Sequence, residues 1–548
     1  MNLALPRMSR AKATAVGLVT VHVSLALSWV LQHDLPTGAR DEFVILEVAT
    51  DIAYRLGAHS SGSASPFLFE NAYYPPLVRL PAIAALMLGG GYTTAVVSGW
   101  IWLPLLVVCT WVLARDFTSS EWAATASIAI LLASPGLTHS LHHYESNLGP
   151  MAITAACCLL WSRTNGLESS QAALGFGLLL GLGMLSDRLG VLPFVIVPIS
   201  ALLLGLRSKK SLKRVGTVVL GAGLASGWWY LNYFQRFWDE LVPQFLEGEI
   251  NPEGLITETS GSITGWLGYY LWAWPDSQLG LLGGGLALCG LVLCLGHSRV
   301  ESQKVVLLWT VGGLLCCTLI AKRQVFYTLP LLPFAAVLAA SALQRLSGAL
   351  RRGRGLLFVT TLLAVQLPVP LALNDDAIDL PNGLRSWLFL NRSPISEEFL
   401  GHRHRLAHPP ERVGLDLPAA LGAVGLNTGE RGVSVAVFSA HDAQVTESYQ
   451  VTLGRMATKS VDVFGLTLHP DHFLNVTTPP DVLLYVHRDG LAWPSRAALI
   501  ETHDRRHAWD PRFEDLAARV EQWAVGAQNV GNQELRDGER LSIWRLAP

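Results

Sequence analysis

The feature that most constrains this chain is a recurring apolar stretch, almost free of charge, of the length needed to cross a bilayer. A spanning helix needs about 20 mostly apolar residues, because the hydrocarbon core is ~30 Å thick and each helical residue rises ~1.5 Å. Eleven runs meet that demand: 13–31, 94–114, 122–138, 148–162, 172–186, 189–206, 215–234, 278–296, 305–321, 325–343 and 355–373. They predict an all-α polytopic membrane core of about eleven transmembrane helices over residues 1–373. Composition agrees, since 51% of the 548 residues are hydrophobic and only 15% are charged. The formal net charge of −2 gives no reason to expect a nucleic-acid partner.

Arg7, Arg10 and Lys12 precede the first run, and no small-residue cleavage site separates it from Gln32, so it reads as an uncleaved signal anchor. Positive charge in short loops is retained on the cytoplasmic side. With the N-terminus cytoplasmic, the inner loops hold Arg115, Arg163, the cluster from Arg207 to Arg214, Arg299 with Lys304, and Arg345 to Arg354. That bookkeeping requires Pro75 to Gly91 to lie in the outer interface rather than cross, and it places residues 374–548 outside. The expected location is a bacterial inner membrane.

Two outer loops are long, 32–91 and 235–277. In the first, Ile45, Val48, Ile52 and Leu56 recur at helical spacing opposite Glu47, Asp51 and Arg55, which predicts an amphipathic interfacial helix. The second carries Trp266, Tyr269, Tyr270, Trp272 and Trp274, read as an interfacial aromatic belt or, more sharply, as a sugar-stacking surface. After Leu373 the chain becomes polar. Runs at 433–438, 482–486 and 541–544 look like strands and 513–524 like a helix, so a smaller soluble α/β or α+β extracytoplasmic domain is expected. All seven cysteines lie in apolar runs and suggest neither disulfides nor metal ligands. The histidines at 402, 404, 408, 469 and 472 show no metal-binding spacing.

Chemistry-bearing residues gather on the expected outer face. Asp41 and Glu42 follow the first run; a partly desolvated carboxylate there can act as a base or a metal ligand, or can simply oppose a helix N-terminus. Neighbouring helical residues project about 100° apart, so one of the two would take a given role. His142, His143, Tyr144 and Glu145 occupy a brief outer turn. They are too nearly contiguous all to point inward, which leaves Glu145 as the economical candidate. Lys322 and Arg323 are two cations on a face where positive charge is scarce, suited to a phosphate or to snorkelling toward headgroups, and Tyr327 follows them.

Asp41-Glu42 after the first span, Tyr73-Tyr74-Pro75-Pro76-Leu77, Glu145, and the run from Arg323 to Pro333 (RQVFYTLPLLP) come in an order that resembles GT-C glycosyltransferases, in particular the protein O-mannosyltransferase and aminoarabinose-transferase branch. The likeness extends over residues 13–345. The segment from Gly181 to Arg188 resembles one that ends in Lys in that family, with Asp187-Arg188 standing here. The resemblance implies transfer of a sugar, with inversion, from a polyprenyl-phosphate carrier to a lipid, glycan or protein acceptor at the outer face. It implies Asp41, Glu42 and Glu145 as the catalytic candidates, and Lys322, Arg323, Tyr327, Tyr74 and Arg188 as substrate-binding ones. A divalent metal ion, where one is used, would lie between Asp41 and Glu145. A lipid or polysaccharide transporter or flippase is the main alternative, although such proteins place ionisable residues within their spans, which here are nearly free of charge. A catalytically silent scaffold of the same fold is the other.

Overall fold

The computed structural model describes residues 8–32, 45–46, 48–50, 52–53, 56, 75–144, 146–187, 191–205, 209–233, 263–297, 301–319, 325–349, 422, 434–439, 462–465, 479–487, 493–500, 512–534 and 540–546. The chain divides into two compact units. One comprises Met1–Gln32, Leu68–Val78 and Gly99–Pro409; the other comprises His33–Phe67, Arg79–Ser98 and Pro410–Pro548.

The first unit is helical, and the chain is an integral membrane protein. Among the described residues, the helices Arg10–Leu31, Tyr92–Thr118, Glu301–Leu319 and Tyr327–Gly348 are long and apolar enough to cross a membrane, with residues Tyr92–Ser98 of the second of them assigned to the other unit. Leu148–Arg163, Ser170–Ser186 and Gly280–Gly296 are apolar but shorter. The predicted run at 355–373 lies outside the described residues. Helix Leu148–Arg163 packs against both Leu103–Thr118 and Ser170–Ser186 and is buried on every side from Leu148 to Cys158. A helix apolar all round belongs in such a central place. Lys209–Ala222, by contrast, leaves Leu212, Val219 and Leu220 exposed as a lipid-facing band.

Small residues let helix backbones meet where packing has to replace the hydrophobic effect. A Cβ at Gly290 would lie 2.1 Å from the Leu338 carbonyl oxygen, and one at Gly177 would lie 2.2 Å from that of Val218. No side chain fits at either contact.

The run predicted as a single span over 122–138 is broken. Helix Glu121–Leu132 ends, and helix Pro135–His142 leaves it at 57°. The cause is local: Pro135 sits in the first turn of the new helix, and the Ser134 hydroxyl accepts the Leu137 N–H at 3.2 Å. Serine followed by proline is a helix start, because the missing N–H would have been an orphan there anyway. The run predicted from 325 likewise begins as a tighter 3₁₀ segment, Val325–Leu331, before the α-helix Leu332–Ala349. Helix Pro76–Met87, in the stretch expected to lie in the outer interface, contains 12 residues, about 18 Å of rise.

In the second unit the described residues between Ile45 and Leu56 are helical as predicted, with Ile45, Ala49 and Ile52 buried; Glu47, Asp51 and Arg55 lie outside the described residues. Its C-terminal part is a five-stranded mixed sheet: β1 Ser434–Ser439, β2 Asp462–Gly465, β3 Val482–His487, β4 Gln528–Glu534 and β5 Arg540–Arg545, in the order β2-β1-β3-β5-β4. β1 is parallel to β2 and β3, whereas β5 is antiparallel to β3 and β4. β3 is buried throughout, the mark of a central strand. Helix Arg512–Trp523 lays Phe513, Leu516, Ala517 and Val520 against Phe438, Leu483 and Tyr485 of the sheet. The strands at 434–439, 482–487 and 540–545 and this helix were all expected from the sequence; β2 and β4 were not.

Candidate active site

At one end of the first unit three interruptions of regular helix meet. They are the break at Ser134 that opens helix Pro135–His142, the π-helical turn Trp274–Gln278 and the 3₁₀ segment Val325–Leu331; the π-turn packs against that helix and against the 3₁₀ segment. The sequence assigned most of the π-turn to the second outer loop and the start of the 3₁₀ segment to the outer-face cluster from Lys322 to Tyr327. A Cβ added at Gly136 would lie 2.7 Å from Leu329 Cδ2 and 3.3 Å from the Gln278 carbonyl oxygen, which measures how closely they meet. The Gln278 amide donates to Thr328 Oγ1 at 2.7 Å, a buried bond joining the π-turn to the residue beside Tyr327. Cys317 Sγ donates to the Tyr327 carbonyl at 3.7 Å, fixing the same segment from the preceding helix.

The turn after His142 is anchored by side chains. The Trp100 indole N–H donates to the Leu141 carbonyl at 2.9 Å, and the Tyr144 hydroxyl donates to the Val78 carbonyl at 2.6 Å. The His142 ring stacks face to face on Trp29, with centroids 3.8 Å apart and planes 7° from parallel. His143 lies tilted against His139 at 4.4 Å. Of the four contiguous residues expected not all to turn inward, His142, His143 and Tyr144 are 3%, 5% and 3% exposed, and Glu145 lies outside the described residues. An extended backbone at His143 alternates the side chains and lets each find its own cavity.

The aromatic segment also departs from expectation. Tyr269, Tyr270 and Trp274 are fully buried, so these three form neither an interfacial belt nor an open sugar platform; Trp272 is half-buried, and the Trp266 side chain lies outside the described residues. Helix Ile263–Ala273 and the π-turn carry them into the core, where Tyr269 and Tyr270 meet edge to face at 4.9 Å. Asp276, in the same π-turn, is a carboxylic acid only 2% exposed. Its sole sequence signal is an acid directly after a proline at a span entrance.

Of the candidate site residues, Tyr327 is described; it is half-buried in the 3₁₀ segment. Asp41, Glu42, Tyr74, Glu145, Arg188, Lys322 and Arg323 lie outside the described residues. Their immediate chain neighbours are placed. Pro75 and Pro76 are buried at the start of helix Pro76–Met87, Tyr144 and Ser146 flank position 145, and Asp187 ends helix Ser170–Ser186 in extended backbone. Among the described residues no group of three or more His, Cys, Asp or Glu side chains is arranged to hold a metal ion, and the two carboxylates expected around one lie outside them.

No protein-family model and no curated protein matches the chain. Solved structures do. A crystal structure of ArnT from Cupriavidus metallidurans bound to undecaprenyl phosphate is 16% identical, with a TM-score of 0.55 over 96% of this chain and 98% of that one. ArnT from the same organism in the apo state is 15% identical, with a TM-score of 0.53 over 97% and 98%. The fold is therefore that of ArnT, the GT-C architecture that the order of motifs implied, over nearly the whole length of both chains.

Proposed function

We propose that this chain is a membrane glycosyltransferase that moves a sugar from a polyprenyl-phosphate carrier to an acceptor hydroxyl or amine at the outer face. The observation that carries the reading is the ArnT fold over almost all of both chains, in a structure that holds undecaprenyl phosphate. Because one fold can host many chemistries, the local argument matters as well. Tyr144, in the extended turn, directly precedes Glu145, and the 3₁₀ segment begins two residues after Arg323. Irregular backbone at membrane depth is tolerated only where protein buries it or a cavity needs it.

In this reading the acceptor oxygen or nitrogen attacks the anomeric carbon from the face opposite the carrier. The bond from that carbon to the phosphate oxygen breaks, inverting the centre. Asp41 takes the acceptor proton, and polyprenyl phosphate departs with its growing charge held by Arg323 and Lys322. Glu145 and Glu42 flank the reacting centre, Tyr74 and Tyr327 line the carrier's path, and Arg188 supplies a further cation. The N-terminus and the basic loops are cytoplasmic, and residues 374–548 are outside and contribute to choosing the acceptor.

The test uses the purified full-length protein in lipid nanodiscs with polyprenyl-phosphate-linked sugars. Wild type should bind undecaprenyl phosphate and release it from the glycosylated carrier when acceptor is present. Asp41→Asn should still bind the lipid but turn over at least ~10²-fold more slowly, and Arg323→Ala should lose both affinity and rate. Wild-type protein that neither binds the carrier nor transfers from it would overturn the reading, and undiminished transfer by Asp41→Asn would remove that residue from the mechanism.

A further inference from the structure

A phenol side chain in the middle of the candidate site performs a task that neither the motif order nor the fold likeness assigns. Tyr144 is 3% exposed, and its hydroxyl donates to the Val78 carbonyl at 2.6 Å across 66 positions of chain. Its ring lies flat enough against the Gly99 backbone that a Cβ there would approach Tyr144 Cε2 at 3.3 Å. A phenylalanine would fill that space equally well. What the hydroxyl adds is one bond to main chain at a weak spot.

Val78 lies in the first turn of helix Pro76–Met87, and Pro81 follows within that helix. Proline has no N–H to give back to the carbonyl four residues earlier, that of Leu77. The first turn therefore lacks one internal bond, and the bond from Tyr144 is made to the neighbouring carbonyl, that of Val78. Tyr144 immediately precedes Glu145, and Val78 stands four residues after Tyr74. The turn after His142 is held in addition by Trp100 on the Leu141 carbonyl and by the stack of His142 on Trp29.

We propose that Tyr144 is a positioning residue, whose hydroxyl fastens the turn after His142 to the first turn of helix Pro76–Met87, the described stretches that adjoin Glu145 and Tyr74 in sequence. The inference rests on the transferase reading above. The residue touches no substrate; it works through the two segments it joins. Small misplacements of reacting groups lower rate steeply while leaving ground-state binding largely intact.

The experiment compares wild type with Tyr144→Phe in nanodiscs, by transfer kinetics, thermal unfolding and amide hydrogen exchange. The variant should lose about tenfold in kcat, with KM for the carrier within about twofold and an unfolding midpoint close to wild type. Exchange at the N-terminal turn of helix Pro76–Met87 should accelerate. Equal kcat, or a parallel fall in unfolding midpoint and rate with KM rising in step, would overturn the positioning role. Unchanged exchange would show that the hydroxyl does not fasten the turn. If wild type transfers no sugar at all, the transferase reading fails and the role in rate fails with it, whereas accelerated exchange in the variant would still establish the fastening. Slow transfer with unchanged exchange would instead leave the transferase standing and remove Tyr144.

Discussion

The two ends of the helical unit are held together by different physics. At the end carrying Thr118, fastening is by charge and by capping of ordinary helix ends. Arg163 forms a two-point pair with Asp116, with Nε 2.7 Å and Nη2 3.0 Å from its two oxygens, and Lys12 lies 3.7 Å from Glu121. Ser302, Gln303 and Gln344 donate to the carbonyls of Asp116, Phe117 and Thr118, the orphan acceptors of the last turn. These groups are largely half-exposed or exposed. At the other end, which carries the Trp29–His142 stack and the bonds from Trp100 and Tyr144 to main chain, the fastening is buried and aromatic. A wet end can rely on long polar side chains, each contributing little. A dry end with broken helices has carbonyls that must be satisfied by fixed donors, and that fixity is what the proposed reaction centre would require.

The comparison can be broken by removing one fastening from each end. The largest effect is expected from Trp29→Ala, which empties a fully buried indole site and deletes the His142 stack. Stability should fall by about 3–5 kcal/mol, measured by reversible unfolding in detergent, with transfer lost. Survival of both would mean that the dry end does not depend on this stack.

Gly136→Val should come next. Its new side chain would push on Leu329 and on the Gln278 carbonyl, for an overpacking cost of about 1–3 kcal/mol. The affected contact unites the π-turn with the 3₁₀ segment, so the loss in kcat should exceed that expected from stability alone. A variant as active as wild type would show that the meeting of these two segments is not needed for turnover.

The smallest effect belongs to the wet end. The Arg163 side chain is 50% exposed, and exposed pairs contribute roughly 0.2–1 kcal/mol. Arg163→Ala should therefore lower the unfolding midpoint slightly, leave kcat within about twofold of wild type, and do less at high salt. A tenfold fall in kcat would erase the distinction between the two ends.

How much of this was legible in the sequence depends on the range of the forces involved. Hydropathy located the helices Arg10–Gln32, Leu103–Thr118 and Glu301–Leu319, because crossing a bilayer is a composition requirement on contiguous residues. β-branched and apolar runs marked β1, β3 and β5 for a similar reason. β4 was not legible: its sequence, QNVGNQE, has no apolar face, and its pairing with β5 shifts register between Asn529 and Gly531. The break at Ser134-Pro135 carried a readable capping signal that the strength of the surrounding apolar run masked. Tyr144 and Trp29 could not be read at all as fastenings, since their partners stand 66 and 113 positions away and one is a bare carbonyl. The motif residues were recognisable only as an ordered set along the chain.

The choice of main-chain acceptors at the dry end also bears on how such a protein can diverge. Every residue type has a carbonyl, so positions 78 and 141 can change side chain without losing their bonds to Tyr144 and Trp100. Only the donors are pinned. The stack of Trp29 on His142 is the opposite case, because both partners are side chains and a change in one calls for a change in the other. Among relatives, substitutions at 29 and 142 should therefore travel together, while 78 and 141 drift freely. Fastening to backbone is one way in which a fold can persist across nearly a whole chain at 16% identity.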